Sequence, residues 1–368
     1  MHVQAVSDWR DKAKVAAFFG RLAVKEHVRP DLHVRPLVAE LFLTDNCNLR
    51  CTSCACWRTT TRQELTTAEW KTVIDQLRPA GIVKANFTGG EPLMRRDAPE
   101  LIAHAMERGV RRLHLNTNAV LLDDTRRRAV LEAGVRSFNV SVDGPTAATH
   151  EAVRGVPRSF ERTMAHLQDL VAARRRYSLR LRLSFTVMAT TVSTLPEMMR
   201  FAQRVGVPLY LNLATDKTFL FRDEQVSREA DVGRGDVDRA LAQIEALLRT
   251  DPHGLPSFAE LSYLRRHFGD LVQADLPCAE SQLKLMIHSR GEIGGCWAHD
   301  PHDNVRQTSV ADVIASARYR DDHARFFRKD CVGCGSNYSL NLSWRPHTHV
   351  ENALWRAGRR SLLAGDRR

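Results

Sequence analysis

A repeated change of hydrophobic period is the strongest constraint on this chain. Between Leu37 and Leu213, short apolar runs alternate with longer stretches of helical spacing. The strand-like runs are Leu37–Thr44, Gly81–Phe87, Arg112–Leu115, Ser137–Val142, Leu179–Met188 and Leu209–Leu213. Helical patterns occupy Glu64–Leu77, with Thr66 or Thr67 as N-cap, then Ala98–Arg108, Asp124–Ala133, Ser159–Arg174 and Leu195–Val205. A further helix is expected around Val237–Leu248, and another at Phe258–Phe268. Strands separated by helices predict a parallel sheet, because parallel neighbours need a crossover between them. Six such strands are too few to close an eight-stranded barrel. The expected fold is therefore α/β, a partial (β/α)6 TIM-like barrel, with its chemistry at the carboxyl ends of the strands.

The 368 residues suit such a barrel with one small further unit. Hydrophobic residues make up 43% and charged residues 26%, which argues against wholesale disorder. The formal charge is +11, but its arginines are scattered along the chain. That distribution disfavours a nucleic-acid partner and is compatible with an anionic substrate. Charges interrupt the apolar residues at the N-terminus, and no run of about 18 apolar residues occurs. The expectation is a cytoplasmic protein with no membrane span, whose thiols stay reduced.

Cysteines in such a chain read as metal ligands before they read as disulfides. Cys47, Cys51, Cys54 and Cys56 crowd together after the first strand. Cys278, Cys296, Cys331 and Cys334 follow only near the end. Three thiolates on one tight loop suit three corners of a [4Fe–4S] cluster and leave one iron open to a small molecule. A zinc knuckle completed by Cys56 or a histidine is the alternative. Thr88-Gly89-Gly90-Glu91-Pro92 follows the second strand. Its glycine pair permits close backbone approach to a ligand amine, and Glu91 adds a carboxylate for an ammonium. Ser141-Val142-Asp143-Gly144 ends the fourth strand with groups suited to ribose.

The triad Cys47, Cys51 and Cys54, together with Gly89-Gly90-Glu91-Pro92, resembles the radical S-adenosylmethionine (SAM) enzymes. Asn116-Thr117-Asn118, Ser141-Val142-Asp143 and His150-Glu151-Ala152-Val153-Arg154-Gly155 also resemble that family. Ser53 stands where an aromatic residue is frequent, and Ala119 where relatives often carry glycine. The resemblance implies a SAM-binding [4Fe–4S] cluster on the triad, with the methionine amine at Gly89–Pro92 and adenosine near Asn118, Ser141 and Asp143. It implies reductive cleavage of SAM to a 5′-deoxyadenosyl radical, with electrons from a flavodoxin or ferredoxin.

The second cysteine group resembles the family's SPASM/Twitch extensions. That resemblance implies one auxiliary iron–sulfur cluster on Cys278, Cys296, Cys331 and Cys334; structural zinc is the alternative. His299 and His302, close to Cys296 in sequence, read as surface residues or as neighbours of that site rather than as ligands, because four cysteines already suffice. The corresponding division is an N-terminal helical extension (1–36), the barrel (37–218), a helical linker (219–276), the cluster module (277–345) and a basic tail (346–368). Cys56 reads either as a buried packing residue or as a thiol that returns a hydrogen atom to substrate. The first functional expectation is an oxidoreductase or epimerase acting on a small molecule: a sugar, aminocyclitol or nucleoside-like intermediate of secondary metabolism. The alternative is maturation of a ribosomally made peptide, and a remote third is a zinc- or nucleic-acid-binding protein.

Overall fold

A computed structural model describes residues 9–54, 56–58, 63–213, 234–250, 277–296 and 300–328. The expected helix Phe258–Phe268, Cys331, Cys334, His299 and the basic tail lie outside the described residues, as does most of the 219–276 linker.

Helix α1 (Trp9–His27) precedes strand β1 (Val38–Phe42). Strand–helix pairs follow: α2 (Thr67–Leu77) and β2 (Lys84–Thr88), α3 (Ala98–Glu107) and β3 (Arg112–Thr117), α4 (Asp124–Glu132) and β4 (Ser137–Ser141). Helices α5 (Ala147–Arg154) and α6 (Ser159–Ala173) lead to β5 (Arg180–Val187). The short α7 (Ala189–Val192) and α8 (Leu195–Val205) lead to β6 (Leu209–Leu213), and α9 (Arg234–Thr250) comes after it. The C-terminal part holds α10 (Glu280–Leu283), β7 (Lys284–Ile287), β8 (Glu292–Gly294), β9 (Asp303–Asn304), α11 (Val310–Ala315) and α12 (Ala317–Phe327). Thr66 caps α2 as expected: its hydroxyl accepts from the Glu69 amide at 3.2 Å, and the Glu69 carboxylate returns to the Thr66 amide at 2.8 Å.

One sheet runs in the order β6-β5-β4-β3-β2-β1-β7-β8-β9 and does not close. The partial α/β barrel expected from the alternation is therefore present. A seventh parallel strand was not expected. Strand β7 pairs with β1 in register Val38↔Lys284, and β8 and β9 add antiparallel beyond it. Four residues carry too short a pattern to mark a strand, and its parallel partner lies about two thirds of the chain length away.

The pleat sorts the strand residues into two faces. One face, including Leu41, Phe87, Leu115, Phe138, Leu183 and Ile287, joins helix residues such as Trp70, Ile74, Leu101 and Leu170 in the main core. The opposite face is polar. It carries Glu40, Lys84, Asn86, His114, Asn116, Asn139, Ser141, Arg180, Arg182, Ser184, Tyr210, Asn212 and Lys284. A closed barrel fills its interior with branched apolar side chains; the described strands of this open one line the lumen largely with polar ones. Glu40 organises one wall of it. Its carboxylate accepts from Asn86 Nδ2 at 2.7 Å and pairs with Lys284 Nζ at 2.8 Å, and Lys284 also pairs with Glu280.

Burial holds several imidazoles neutral. His150 and His288 are pushed down to about 3, and His114 well below its ordinary value, in each case chiefly by desolvation. The unfolded chain binds protons near pH 6.5 while the folded chain resists them. Stability is therefore present above pH 6.5 and lost as pH falls below it. One unit below that value each of the three costs about 1.4 kcal/mol. The thermal midpoint, followed by circular dichroism, is expected to drop steeply between pH 6.5 and 5.5.

Candidate functional site

The cysteine loop leaves the carboxyl end of β1 and is held from three sides. From the β2 side, the Gly90 amide donates to Thr44 O at 2.7 Å and the Glu91 amide to Asn46 O at 2.8 Å. A Cβ on Gly90 would lie 2.3 Å from Asn46 O, and one on Gly89 would lie 2.3 Å from Thr44 O. Gly89 also adopts φ +134, which side chains rarely allow. The glycine pair was expected to admit a ligand; in the structure its close neighbour is the cysteine loop itself.

From the α5 side, the Arg50 amide donates to Arg154 O at 3.0 Å and the Thr52 amide to Val153 O at 2.9 Å. Gly155 ends α5 at φ 68, and a Cβ there would meet Arg50 O at 2.4 Å. The third support is Glu64, whose Oε1 accepts from the Thr44 hydroxyl and the Asp45 amide, both at 2.8 Å. Within the loop, Trp57 Nε1 donates to Cys51 O at 3.1 Å, with the Arg50 and Arg58 guanidinium groups 5.3 and 4.9 Å from its ring.

Cys51 is buried, and Cys47, Cys54 and Cys56 are half-buried. The three triad thiols share a small apolar patch with Leu49, Val120 and Val156. Two polar side chains reach them. Arg154 Nη1 approaches Cys51 Sγ at 3.6 Å, and Asn118 Nδ2 approaches Cys47 Sγ at 4.0 Å while donating to Asn48 Oδ1 at 2.8 Å. Burial pushes the Cys47 thiol up to about 12 and raises Cys51 as well. Metal binding must therefore displace protons from these sulfurs, and a cation is what makes the buried thiolates tolerable. Three soft donors, a nearby guanidinium and an apolar wall fit an iron–sulfur cluster.

Cys56 hydrogen-bonds to Cys54, which lowers Cys54 to about 7 and raises Cys56 well above the ordinary thiol range. Its thiol thus faces a triad sulfur.

Glu91 is buried, and its oxygens accept from the chain. Oε1 takes the Thr117 hydroxyl at 2.8 Å and the Leu93 amide at 3.2 Å; Oε2 takes the Asn118 amide at 2.8 Å. Burial nevertheless raises this carboxyl to about 7. It clamps the β2 loop to the end of β3, a task the motif alone did not reveal. Pro92 opens the short turn that follows. Asp143, expected near ribose, accepts from the Thr186 amide at 2.7 Å and pairs with Arg154 Nε at 2.7 Å. Arg154 is therefore the hub between Asp143 and Cys51, which the sequence marked only as part of a phrase. Ser141 is half-buried on the lumen face, in register with Ser184.

Of the second cysteine group, Cys278 and the neighbour of Cys296 lie against α12. The Cys278 amide donates to Phe327 O at 3.0 Å. Cys296 follows Gly295, over which His323 Nε2 packs so closely that a Cβ would lie 2.0 Å away. His302, near Cys296 in sequence, pairs with Asp322 of α12 at 3.1 Å. Both described thiols are half-buried.

Residues 41–202 match the Radical SAM superfamily. Over 193 residues the chain is 30% identical to an AdoMet-dependent heme synthase of Nitratidesulfovibrio vulgaris, an alignment covering 50% of each chain. It thus spans about half the length of that relative. Over 323 residues it is 26% identical to a PqqA peptide cyclase of Xanthomonas campestris pv. campestris, covering 81% of this chain and 79% of that one. The backbone is similar to Streptococcus suis SuiB bound to precursor peptide SuiA, with a TM-score of 0.64 and 13% identity over 92% of this chain and 75% of that one. Likeness at that identity speaks for the fold.

Two substitutions test the loop supports. Gly90→Ala is expected to displace the cysteine loop, lowering both the thermal midpoint and the iron retained after reconstitution. Ala119 follows Asn118 with φ 60, in the left-handed region. Ala119→Gly is expected to stabilise the fold by about 0.5–1 kcal/mol in urea unfolding.

Proposed function

Residues 41–202 are a radical SAM domain, and from that premise we propose that the chain is a radical SAM enzyme that modifies a ribosomally made peptide. The observation that carries the reading is the triad loop, pinned by Gly89–Glu91 and by α5, with Arg154 against Cys51. The peptide substrate is favoured by the reach of the alignments. The heme synthase match covers half of the chain, whereas the peptide cyclase match runs over 323 residues. The peptide reading therefore displaces the sugar, aminocyclitol or nucleoside substrate that the sequence first suggested.

Bound at the triad, SAM and a [4Fe–4S] cluster would supply one-electron cleavage and removal of a hydrogen atom from an unactivated C–H bond. Cys47, Cys51 and Cys54 would hold three irons. Arg154 offsets thiolate charge beside Cys51, and Asp143 keeps that guanidinium oriented. Asn118 and Ser141 sit at strand ends suited to adenosine. Gly89, Gly90, Glu91 and Pro92 hold the cysteine loop in the position from which it would present a cluster. Cys278 and Cys296, with Cys331 and Cys334, would hold an auxiliary cluster that passes electrons. An external flavodoxin or ferredoxin would deliver the first electron. No described helix is long and apolar enough to cross a membrane.

Anaerobically reconstituted protein is expected to carry about eight irons, four per cubane cluster. Cys278→Ala should lower the count to about four. Reductant and SAM should yield 5′-deoxyadenosine, and Cys51→Ala should abolish it. A precursor peptide should change mass on turnover; zinc in place of iron would sink the assignment. Cys56→Ala is expected to leave product stereochemistry unchanged, because the thiol serves Cys54.

A further inference from the structure

The lumen of the sheet holds more cations than it can pair. Lys84, Arg112, Arg180, Arg182 and Lys284 project from its polar face, to which the parallel strands β1–β7 add one carboxylate, Glu40; Glu292 of β8 lies at the far edge and pairs with Arg290. Glu280 adds another from α10, and Lys284 engages both Glu40 and Glu280. Arg112 feels Asp11 of α1. Among the described residues, no carboxylate lies within ion-pair distance of Lys84, Arg180 or Arg182. Arg180 Nε is buried with no acceptor, and Arg182 lies 6.0 Å over the Tyr210 ring.

These cations act on one another. Burial lowers Lys84 to about 8, and Lys284, Arg182 and Arg112 push in the same direction while Glu40 opposes. Crowding like charges in a partly enclosed space costs free energy that no carboxylate among the described residues offsets at Lys84, Arg180 or Arg182. Lys84, Arg180 and Arg182 are each only half-buried, so part of each residue meets solvent. Functional sites are where such uncompensated charge is retained.

We propose that Lys84 and Arg182, backed by Arg180, seat a substrate carboxylate, supplied by an acidic side chain of the peptide. The assignment of a peptide rests on the function proposed above; the anion seat rests on the lumen alone. Lys84 opens β2 and Thr88 ends it beside Gly89, so the seat lies roughly 13 Å along the strand from the triad loop. A carboxylate held there anchors the substrate far from the reacting carbon. Remote binding of this kind is how an enzyme orients a flexible substrate.

The test is lysine acetylation of the reconstituted holoprotein by N-hydroxysuccinimidyl acetate at pH 8, read residue by residue by mass spectrometry. The peptide Ac-Ala-Glu-Ala-NH2 is expected to slow acetylation of Lys84 about tenfold, at saturating concentration, without protecting the exposed Lys12. Ac-Ala-Gln-Ala-NH2 should not protect. In Arg182→Gln, protection by the Glu peptide should be largely lost. Lys84→Met should melt at or above the wild-type temperature, because it removes an uncompensated cation. No protection, equal protection by the Gln peptide, or a large fall in the Lys84→Met midpoint overturns the seat. Equal protection by glutarate or inorganic phosphate overturns the peptide source and assigns a free anion. Wild-type protein that shows protection but never cleaves SAM overturns the proposed function and leaves the anion seat standing.

Discussion

Contact between two backbones, Thr44–Asn46 and Gly89–Glu91, underlies the whole site. Neither segment has a side chain in the gap, and two amide–carbonyl bonds bridge it. Only glycine tolerates that approach. The triad loop, the strand ends and the Glu91 clamp all take their positions from it. Strand β1 supplies the loop and β2 supplies the glycines, so their parallel pairing, Val38↔Lys84 through Phe42↔Thr88, sets the height of the cysteines. A register error of one residue would move them off the site and turn the lumen face toward the helices.

Arg154 extends the same frame from the other side. Its carbonyl holds the loop backbone, while its guanidinium spans Asp143 and Cys51. A half-buried arginine fixed by a buried aspartate is a rigid donor, and a rigid donor beside a thiolate is stronger than a mobile one. Sequence motifs that look like separate recognition signals thus converge on one mechanical task, fixing three sulfurs against a polar lumen.

Much of this was legible beforehand. The six strands, the Thr66 cap and the placement of Cys47, Cys51 and Cys54 after β1 follow from local period and spacing, which short-range sterics impose. The roles of Glu91 and Asp143 were not legible. A carboxylate in a motif looks the same whether it meets a ligand or a neighbouring loop, and only the fold shows Thr117, Asn118 and Arg154 against them. The polar lumen was hidden too. Lys84, Arg180 and Arg182 are single charges in separate strands, and the scattered arginines of the sequence become a group only when the sheet brings them to one face. Strand β7 escaped notice because its pairing with β1 depends on distant chain, not on its own four residues.

That distant pairing carries a consequence for how the protein is made. Strand β1 lies between β2 and β7 in the finished sheet. While the chain is being synthesised, β2 emerges soon after β1, but β7 emerges only when most of the chain has been translated. Until then one side of β1 is an open edge with unpaired backbone groups. Closing so long a loop is slow, and its entropic cost must be met before the pairing contributes anything. The nascent polypeptide therefore passes through a period in which the strand that delivers the cysteines is adhesive on one flank. Truncation before Lys284 would leave that edge of β1 without its partner.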